Sequence, residues 1–214
     1  MPRDTPEITP ETLLMAYAAG IFPMAEAQDD PEIYWVDPKR RGVFPLDGFR
    51  LSRSLAKVIR RGDYEVTLDR DFAGVVDACA ARETTWINAP IRRLYAELYA
   101  DDYAHSLEVW SGGALVGGVY GVTLGTAFFG ESMFSRRRDM SKLALAFLVT
   151  LLRQRGYTLF DTQFLTDHLA SLGAVEIPRQ HYHTLLADAL QHRARLTGPV
   201  PQPSEVAHLR SQTS

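Results

Sequence analysis

Apolar residues recur along the chain at two spacings, and the alternation between them lays out the elements. Thr9-Pro10 is an N-cap with proline at the first helical position, opening a helix that Gly20 closes. An aromatic, Pro-rich stretch without a regular period follows: Ile21-Phe22-Pro23-Met24, then Tyr34-Trp35-Val36-Asp37-Pro38. Gly42 to Leu46 is a short extended segment. Leu51 to Arg61 is an amphipathic helix, with Leu51, Leu55, Val58 and Ile59 on one side and Arg53, Lys57, Arg60 and Arg61 on the other. Tyr64 to Leu68 alternates like a strand, Phe72 to Ala81 is helical, and Asn88-Ala89-Pro90 caps a helix running to about Ala100. Leu107 to Trp110 and Ala114 to Val122 are strands joined at Ser111-Gly112-Gly113, a hairpin signal. Thr126 to Glu131 is a third strand. Ser141 opens a nearly all-apolar helix ending at Gly156, which has to be buried on most sides. Thr158 to Gln163 is a strand, Asp167 to Leu172 a short helix, Val175 to Ile177 extended, and Leu185 to Ala194 a closing helix. From Gly198 the chain is polar and Pro-rich and reads as a flexible tail.

This order predicts an α/β (α+β) protein in which helices flank a mixed sheet. Three segments are expected: a small N-terminal α+β domain over 1–61 that ends in the basic helix, a larger domain over 62–197, and the tail over 198–214. The strand trio followed by a buried helix resembles the acyl-transferase (GNAT) fold, in which that helix receives a cofactor pyrophosphate on its N-terminal amides. Here the segment is Arg136-Arg137-Arg138-Asp139-Met140-Ser141-Lys142, which has charge but no glycine to let the backbone approach a pyrophosphate closely. An acetyl-CoA enzyme is therefore disfavoured, while the helix N-terminus remains a place for some other phosphate.

Composition narrows the setting. With 46% hydrophobic and 23% charged residues in 214, the chain is neither disordered nor coiled coil. A single cysteine, Cys79, excludes an intramolecular disulfide framework and a Cys-based zinc site. The first residues lack the apolar core of a signal peptide, and the longest apolar stretches fall short of the ~20 residues of a membrane span. A cytoplasmic protein without membrane contact is expected. Net charge is −3, yet residues 39–61 hold eight bases (Lys39, Arg40, Arg41, Arg50, Arg53, Lys57, Arg60, Arg61) against one acid, Asp47, so this window is +7 and the remainder −10. Arg136 to Arg155 carries six bases against Asp139. One basic helix face alone is a solvated surface. Two basic windows in an otherwise acidic chain point to an anionic partner, with phosphate the candidate.

The densest polar cluster in apolar surroundings lies on two strands, Phe128-Phe129-Gly130-Glu131-Ser132-Met133-Phe134-Ser135 and Phe160-Asp161-Thr162-Gln163-Phe164. Alternation puts Asp161 and Gln163 on one face. Read singly, Asp161 would be a cap and Gln163 a surface residue. With Glu131 on the trio's last strand, a shared site explains all three, because desolvating them unpartnered costs several kcal/mol. His181 and His183, two apart on an extended segment, have no acidic or Cys partner at metal-ligand spacing and are read as structural.

Here a resemblance becomes specific. The runs Leu14-Met15-Ala16-Tyr17-Ala18-Ala19-Gly20-Ile21-Phe22-Pro23-Met24, Tyr34-Trp35-Val36-Asp37-Pro38, Phe129-Gly130-Glu131-Ser132-Met133-Phe134-Ser135, Phe160-Asp161-Thr162-Gln163 and His168-Leu169-Ala170-Ser171-Leu172-Gly173-Ala174, followed by Ile177-Pro178-Arg179, are similar to the leucyl/phenylalanyl-tRNA–protein transferases. The match is collinear from about Thr9 to the last helix. It implies an aminoacyltransferase that moves Leu or Phe, sometimes Met, from aminoacyl-tRNA to the α-amine of acceptor proteins beginning with Lys or Arg, marking them for N-end-rule degradation. It also implies a small N-terminal domain joined to a GNAT-like domain, and no metal or organic cofactor. A monomer is expected.

By the same resemblance Asp161 and Gln163 stand at the catalytic centre, with Gln163 orienting the attacking N–H and Asp161 polarising it and helping to hold the acceptor's cationic end. Glu131 would orient the terminal adenosine or the acceptor. Trp86, Phe128, Met133, Leu145 and Phe160, with Val119 beside them, would form the donor amino-acid pocket, and Trp35 would stack on the terminal adenine. Arg53, Lys57, Arg60 and Arg61 would hold tRNA phosphates. Two departures from the family pattern are the unusually basic Arg136-Arg137-Arg138 and Thr166, where Asn is more usual. The competing readings are an acyl-CoA-dependent N-acyltransferase and a non-enzymatic RNA-binding module.

Overall fold

The computed structural model describes residues 8–30, 32–82 and 85–209, so the reading of the first seven residues and the last part of the tail lie outside it. In chain order the elements are α1 (Pro10–Ala18), β1 (Phe22–Met24), β2 (Tyr34–Val36), β3 (Arg40–Val43), α2 (Arg53–Arg61), β4 (Glu65–Leu68), α3 (Phe72–Ala80), α4 (Ala89–Ala100), β5 (Ala104–Ser111), β6 (Ala114–Leu124), β7 (Ala127–Ser135), α5 (Met140–Gln154), β8 (Leu159–Gln163), α6 (Asp167–Leu172), β9 (Val175–Pro178), α7 (Arg179–Ala189) and α8 (Pro203–Ala207). Side-chain oxygens set the helix starts. Thr9, Ser52, Asp71 and Asn88 accept from Thr12, Leu55, Gly74 and Ile91 amides at the heads of α1, α2, α3 and α4. Thr166 caps α6 through its hydroxyl, which accepts from the Leu169 amide at 3.2 Å.

Seven strands form one sheet in the order β4-β5-β6-β7-β8-β3-β9. Every pairing in it is antiparallel except β7 with β8, which are parallel because α5 carries the chain back over one face between them. Gly112 and Gly113, with φ of 58° and 77°, make the tight β5–β6 turn. One face of the sheet packs under α2, α5 and α8, where Leu107, Val119, Phe128 and Phe160 meet the continuously buried run Leu143 to Leu152 of α5. The other face packs under α1, α3, α4 and α7, where Tyr120, Val122, Phe129 and Leu159 meet Tyr17, Val76, Tyr95 and Tyr182. Alternation along each strand thus feeds two cores, and the expected mixed sheet flanked by helices is the fold found.

Four expectations are corrected. The segment boundary at residue 61 does not divide the packing, because β3 lies between β8 and β9 in the main sheet and α2 lies on the main core. The tail is not loose over its described part. Val206 and Leu209 are buried, and α8 packs on α2 and α5, since these apolar residues cover surface those helices would otherwise expose. The aromatic stretch after α1 contains a two-stranded sheet, with Phe22 opposite Val36 and Pro23 opposite Trp35. His181 and His183 lie on α7, which starts at Arg179, six residues earlier than its apolar spacing suggests.

Candidate active site

The site grows from a place where two neighbouring strands part. β7 and β8 pair only at Ala127/Leu159, Phe128/Phe160 and Phe129/Asp161, after which β7 runs on to Ser135 and β8 to Gln163 without pairing to each other. Both strands carry a bulge at the opening. On β7, Tyr120 faces Ser132 and Gly121 faces Gly130, so Glu131 is the extra residue. On β8, Gly42 faces Gln163 and Val43 faces Asp161, so Thr162 is the extra one. Bulges re-aim side chains, and these two turn Glu131 and Gln163 toward each other. Gly42 is required there: a Cβ on it would stand 2.7 Å from the Phe164 carbonyl carbon and 2.8 Å from the Thr162 hydroxyl. Gln163 is held at φ 62°, the left-handed region that ordinary residues avoid, by its amide donating to Asp161 Oδ1 at 2.8 Å.

Asp161 is fully buried and paired with Arg41, itself 1% exposed. Arg41 Nε and Nη2 donate to Asp161 Oδ1 and Oδ2 at 2.9 and 2.6 Å, and Nη1 donates to the Gly20 carbonyl at 2.9 Å. The guanidinium lies between the rings of Phe22 and Tyr182, 4.5 and 4.4 Å from their centroids. Tyr182 donates to Asp161 Oδ2 at 2.8 Å. Burial pushes the Tyr182 hydroxyl up and the Asp161 charge adds to this, so it stays a donor. These contacts correct two expectations. Asp161 cannot hold the cationic end of an acceptor, since Arg41 already occupies both its oxygens. Nor does it polarise the Gln163 carboxamide: it binds the Gln163 backbone and fixes that residue's turn.

Glu131 takes the other place at the carboxamide. Gln163 Nε2 donates to Glu131 Oε1 at 3.0 Å. Because Nε2 is held there, Gln163 Oε1 points away from Glu131, and it takes no donor among the described residues. Tyr17 and Tyr95 hydroxyls donate to Glu131 Oε1 and Oε2 at 2.7 and 2.6 Å and stand 2.8 Å from each other. Closing all three sides of this ring takes three protons. The tyrosines supply two, and the third is present when Glu131 carries its own. Burial raises the Glu131 pKa to about 7 against the lowering effect of Tyr95, Tyr17 and Gln163. Burial, then the Glu131 charge, pushes both tyrosines up. Glu131 is therefore spent on orienting Gln163 and offers nothing directly to a ligand, contrary to the expected role.

The predicted donor-pocket residues are not all together. Phe128, Leu145, Phe160 and Val119 are buried in the core under α5, with Phe128 and Phe160 edge to face at 5.2 Å, and Met133 packs on the same cluster. Trp86, half-buried, packs on the opposite cluster. Met133 also lines a cavity of about 390 Å³ that neither Asp161 nor Gln163 lines. Trp35 sits on β2 with 37% exposure, opposite Pro23 and next to the strand whose Phe22 packs on Arg41 and, at 5.5 Å, on Phe164. On α2, Leu55, Ala56 and Ile59 face inward and Arg53, Lys57, Arg60 and Arg61 outward. Arg61 is paired with Asp63, while no ion pair among the described residues engages Arg53, Lys57 or Arg60. Sequence reasoning missed Arg41 as a site residue, counting it only as surface charge, and missed Tyr17, Tyr95 and Tyr182. Among the described residues no group of three or more His, Cys, Asp or Glu is placed to hold a metal, and no helix is long and apolar enough to cross a membrane.

Two family models match this chain: leucyl/phenylalanyl-tRNA protein transferase over residues 43–187, and the N-terminal domain of the same family over residues 6–39. A leucyl/phenylalanyl-tRNA–protein transferase of Cereibacter sphaeroides (strain ATCC 17025) is 65% identical over 211 residues, covering 98% of this chain and 99% of its own length. One from Ruegeria sp. (strain TM1040) is 61% identical over 208 residues, 97% of this chain and 99% of its own. The solved structure described as the crystal structure of FemX covers 82% of this chain and 70% of its own at 12% identity, with a TM-score of 0.51, a likeness of fold alone.

Proposed function

Since the chain belongs to the leucyl/phenylalanyl-tRNA–protein transferase family, enzymes that pass an aminoacyl group from tRNA to protein, we propose that Gln163 is the residue that meets the attacking amine and that the Tyr17–Tyr95–Glu131 ring and the Arg41–Asp161 pair exist to hold it. The observation that carries this is the 3.0 Å bond from Gln163 Nε2 to Glu131, which leaves Oε1 as a fixed acceptor at the parting of β7 and β8. A carboxamide is too weak a base to keep a proton at neutral pH. It accepts a hydrogen bond from the amine and sets the direction of attack, one part of the positioning of both reactants that in all is worth ~7–11 kcal/mol in well-oriented systems. The amine nitrogen bonds to the ester carbonyl carbon, the bond from that carbon to the ribose oxygen breaks, and the amine proton ends on the released ribose hydroxyl. Aminoacyl esters are activated, so no cofactor enters the balance.

The finer partners follow from the same reading. The donor carries Leu, Phe or Met, its side chain entering next to Met133 above the Phe128, Leu145 and Phe160 layer, a wall that Trp86, packed on the other cluster, does not share. The acceptor begins with Lys or Arg. Trp35 stacks on the terminal adenine, and Arg53, Lys57, Arg60 and Arg61 on α2 track the acceptor-stem phosphates. The protein acts as a monomer in the cytoplasm, where charged tRNA is found, over an N-terminal portion and a transfer domain. The test is transfer of radiolabelled Leu from Leu-tRNA to a peptide beginning with Arg, under single-turnover conditions, with RNase treatment as control. Gln163→Ala should lower the rate by roughly 10²-fold. A rate equal to that of the unaltered protein at saturating substrates would take Gln163 out of the chemistry.

A further inference from the structure

The cavity at the head of α5 gathers polar and charged residues beside Ala78, Ala81, Met133 and Phe134. Its wall includes the guanidinium residues Arg82 and Arg136, the hydroxyl residues Ser135 and Ser141, His168 and Met133, and no carboxylate among the described residues lines it. Both arginines are held by main-chain carbonyls instead of by acids. Arg82 Nη2 donates to the Met133 carbonyl, and Arg136 Nη1 donates to the Leu115 carbonyl at 3.0 Å while its guanidinium lies 5.4 Å from the centroid of Phe134. Among the described residues no acid pairs with Arg82 or Arg136, and Asp139, three residues from Arg136, is occupied by Lys142 at 3.0 Å and by Arg138 at 3.6 Å.

Ser141 is a second, independent observation. It is 8% exposed, its amide donates to Ser135 Oγ at 3.2 Å, and its own hydroxyl on the cavity wall has no partner among the described residues. It stands at the second position of a 15-residue helix whose N-cap, Asp139, makes no capping bond with its side chain. Ser141, nine-tenths buried and with its hydroxyl unbonded among the described residues, shares the cavity wall at a helix head with two arginines that no described acid pairs, an arrangement suited to an anion.

We propose that this cavity binds the phosphodiester on the 5′ side of the donor's terminal adenosine. The proposal rests on the reading of Gln163 as the transfer centre. A strand advances about 3.4 Å per residue, so Met133 and Ser135 lie roughly 7 to 14 Å along β7 from Glu131, past the bulge that turns Glu131 toward Tyr17 and Tyr95. That is the reach from an ester on the ribose to the phosphate on the other side of the same nucleoside. The donor is thereby clamped on both sides of its reactive bond, and the phosphate contact is separate from those of α2.

The probe is a stable, amide-linked phenylalanyl-adenosine carrying either a 5′-hydroxyl or a 5′-phosphate, with Kd measured by calorimetry. The 5′-phosphate should tighten binding roughly tenfold. In the double variant Arg82→Gln/Arg136→Gln that gain should vanish, while the 5′-hydroxyl compound keeps its Kd within about twofold, because neither side chain touches the Gln163 cluster. Ser141→Ala, a small change in volume, should lose part of the gain, roughly threefold. No gain from the phosphate, or a gain that survives in both variants, overturns the proposal. If neither compound binds, the reading of Gln163 fails instead, and inorganic pyrophosphate then decides the cavity by itself: it should bind the unaltered protein and not the double variant, and equal binding or none refutes the site.

Discussion

Glu131→Gln separates the proton on Glu131 from every other feature of the site. Gln has nearly the shape of a protonated Glu, and its amide supplies the third proton of the ring: Nε2 donates to Tyr95, Tyr95 to Tyr17, and Tyr17 to the new Oε1, which still accepts from Gln163. The native carboxyl has its pKa raised by burial from 4.5 to about 7. Below the unfolded value both states are protonated and nothing is lost. Between 4.5 and about 7 the unfolded chain releases the proton first, so stability falls as pH rises, and above about 7 the loss is complete. At about 1.4 kcal/mol per pH unit this amounts to about 3 kcal/mol. The variant lacks this term. Urea unfolding of both proteins across the range should show the variant gaining about 3 kcal/mol on the native protein from pH 4.5 to about 8, then no more. Any fixed cost of the substitution shifts the difference without altering its slope. Parallel curves would mean that Glu131 is ionised throughout and that the three-proton ring is misread.

Three further outcomes are expected. Arg41→Met leaves Asp161 buried and without its cation and should cost about 3–5 kcal/mol in urea unfolding; adding Asp161→Leu should restore only part, because Tyr182 and the Gln163 amide then lose their acceptor. Lys57→Glu/Arg60→Glu should weaken binding of aminoacyl-tRNA at least tenfold and lower the salt slope by roughly 2, measured by filter binding across salt, while transfer from an aminoacyl-adenosine donor is unchanged; equal loss with both donors would remove α2 from RNA contact. Leu209→Ala should cost about 2 kcal/mol if the last described turn seals the α2–α5 face, and no measurable loss would return that segment to a loose end.

Elements with a strong local signal were legible in the residues. The caps at Thr9 and Asn88, the Gly112-Gly113 turn and the apolar run of α5 each follow from a few neighbouring side chains. The aromatic stretch hid β1 and β2 because three-residue strands leave too short a period to read. The head of α7 hid because Arg179, Gln180, His181 and His183 are polar, although Tyr182, Leu186 and Ala189 carry the inward face at i, i+4 and i+7. The insertion of β3 between β8 and β9 pairs residues more than a hundred positions apart and leaves no trace in local spacing. The site divided in the same way. Glu131, Asp161 and Gln163 stood out as polar residues on apolar strands. Arg41 did not, because a basic residue among seven others reads as surface, and its burial is decided by Asp161 at a separation of 120 residues. Tyr17, Tyr95 and Tyr182 pass for core aromatics until their hydroxyls are seen to converge.

The late arrival of β3's neighbours bears on how the molecule is made. A ribosome adding about 5–20 residues per second delivers Asp161 roughly 6–24 s after Arg41. Throughout that interval the nascent chain holds a strand with neither edge occupied and a guanidinium still in water. The groups around Gln163 can assemble only after most of the polypeptide has been synthesised, so a message cut short before that point yields protein without the Arg41–Asp161 pair.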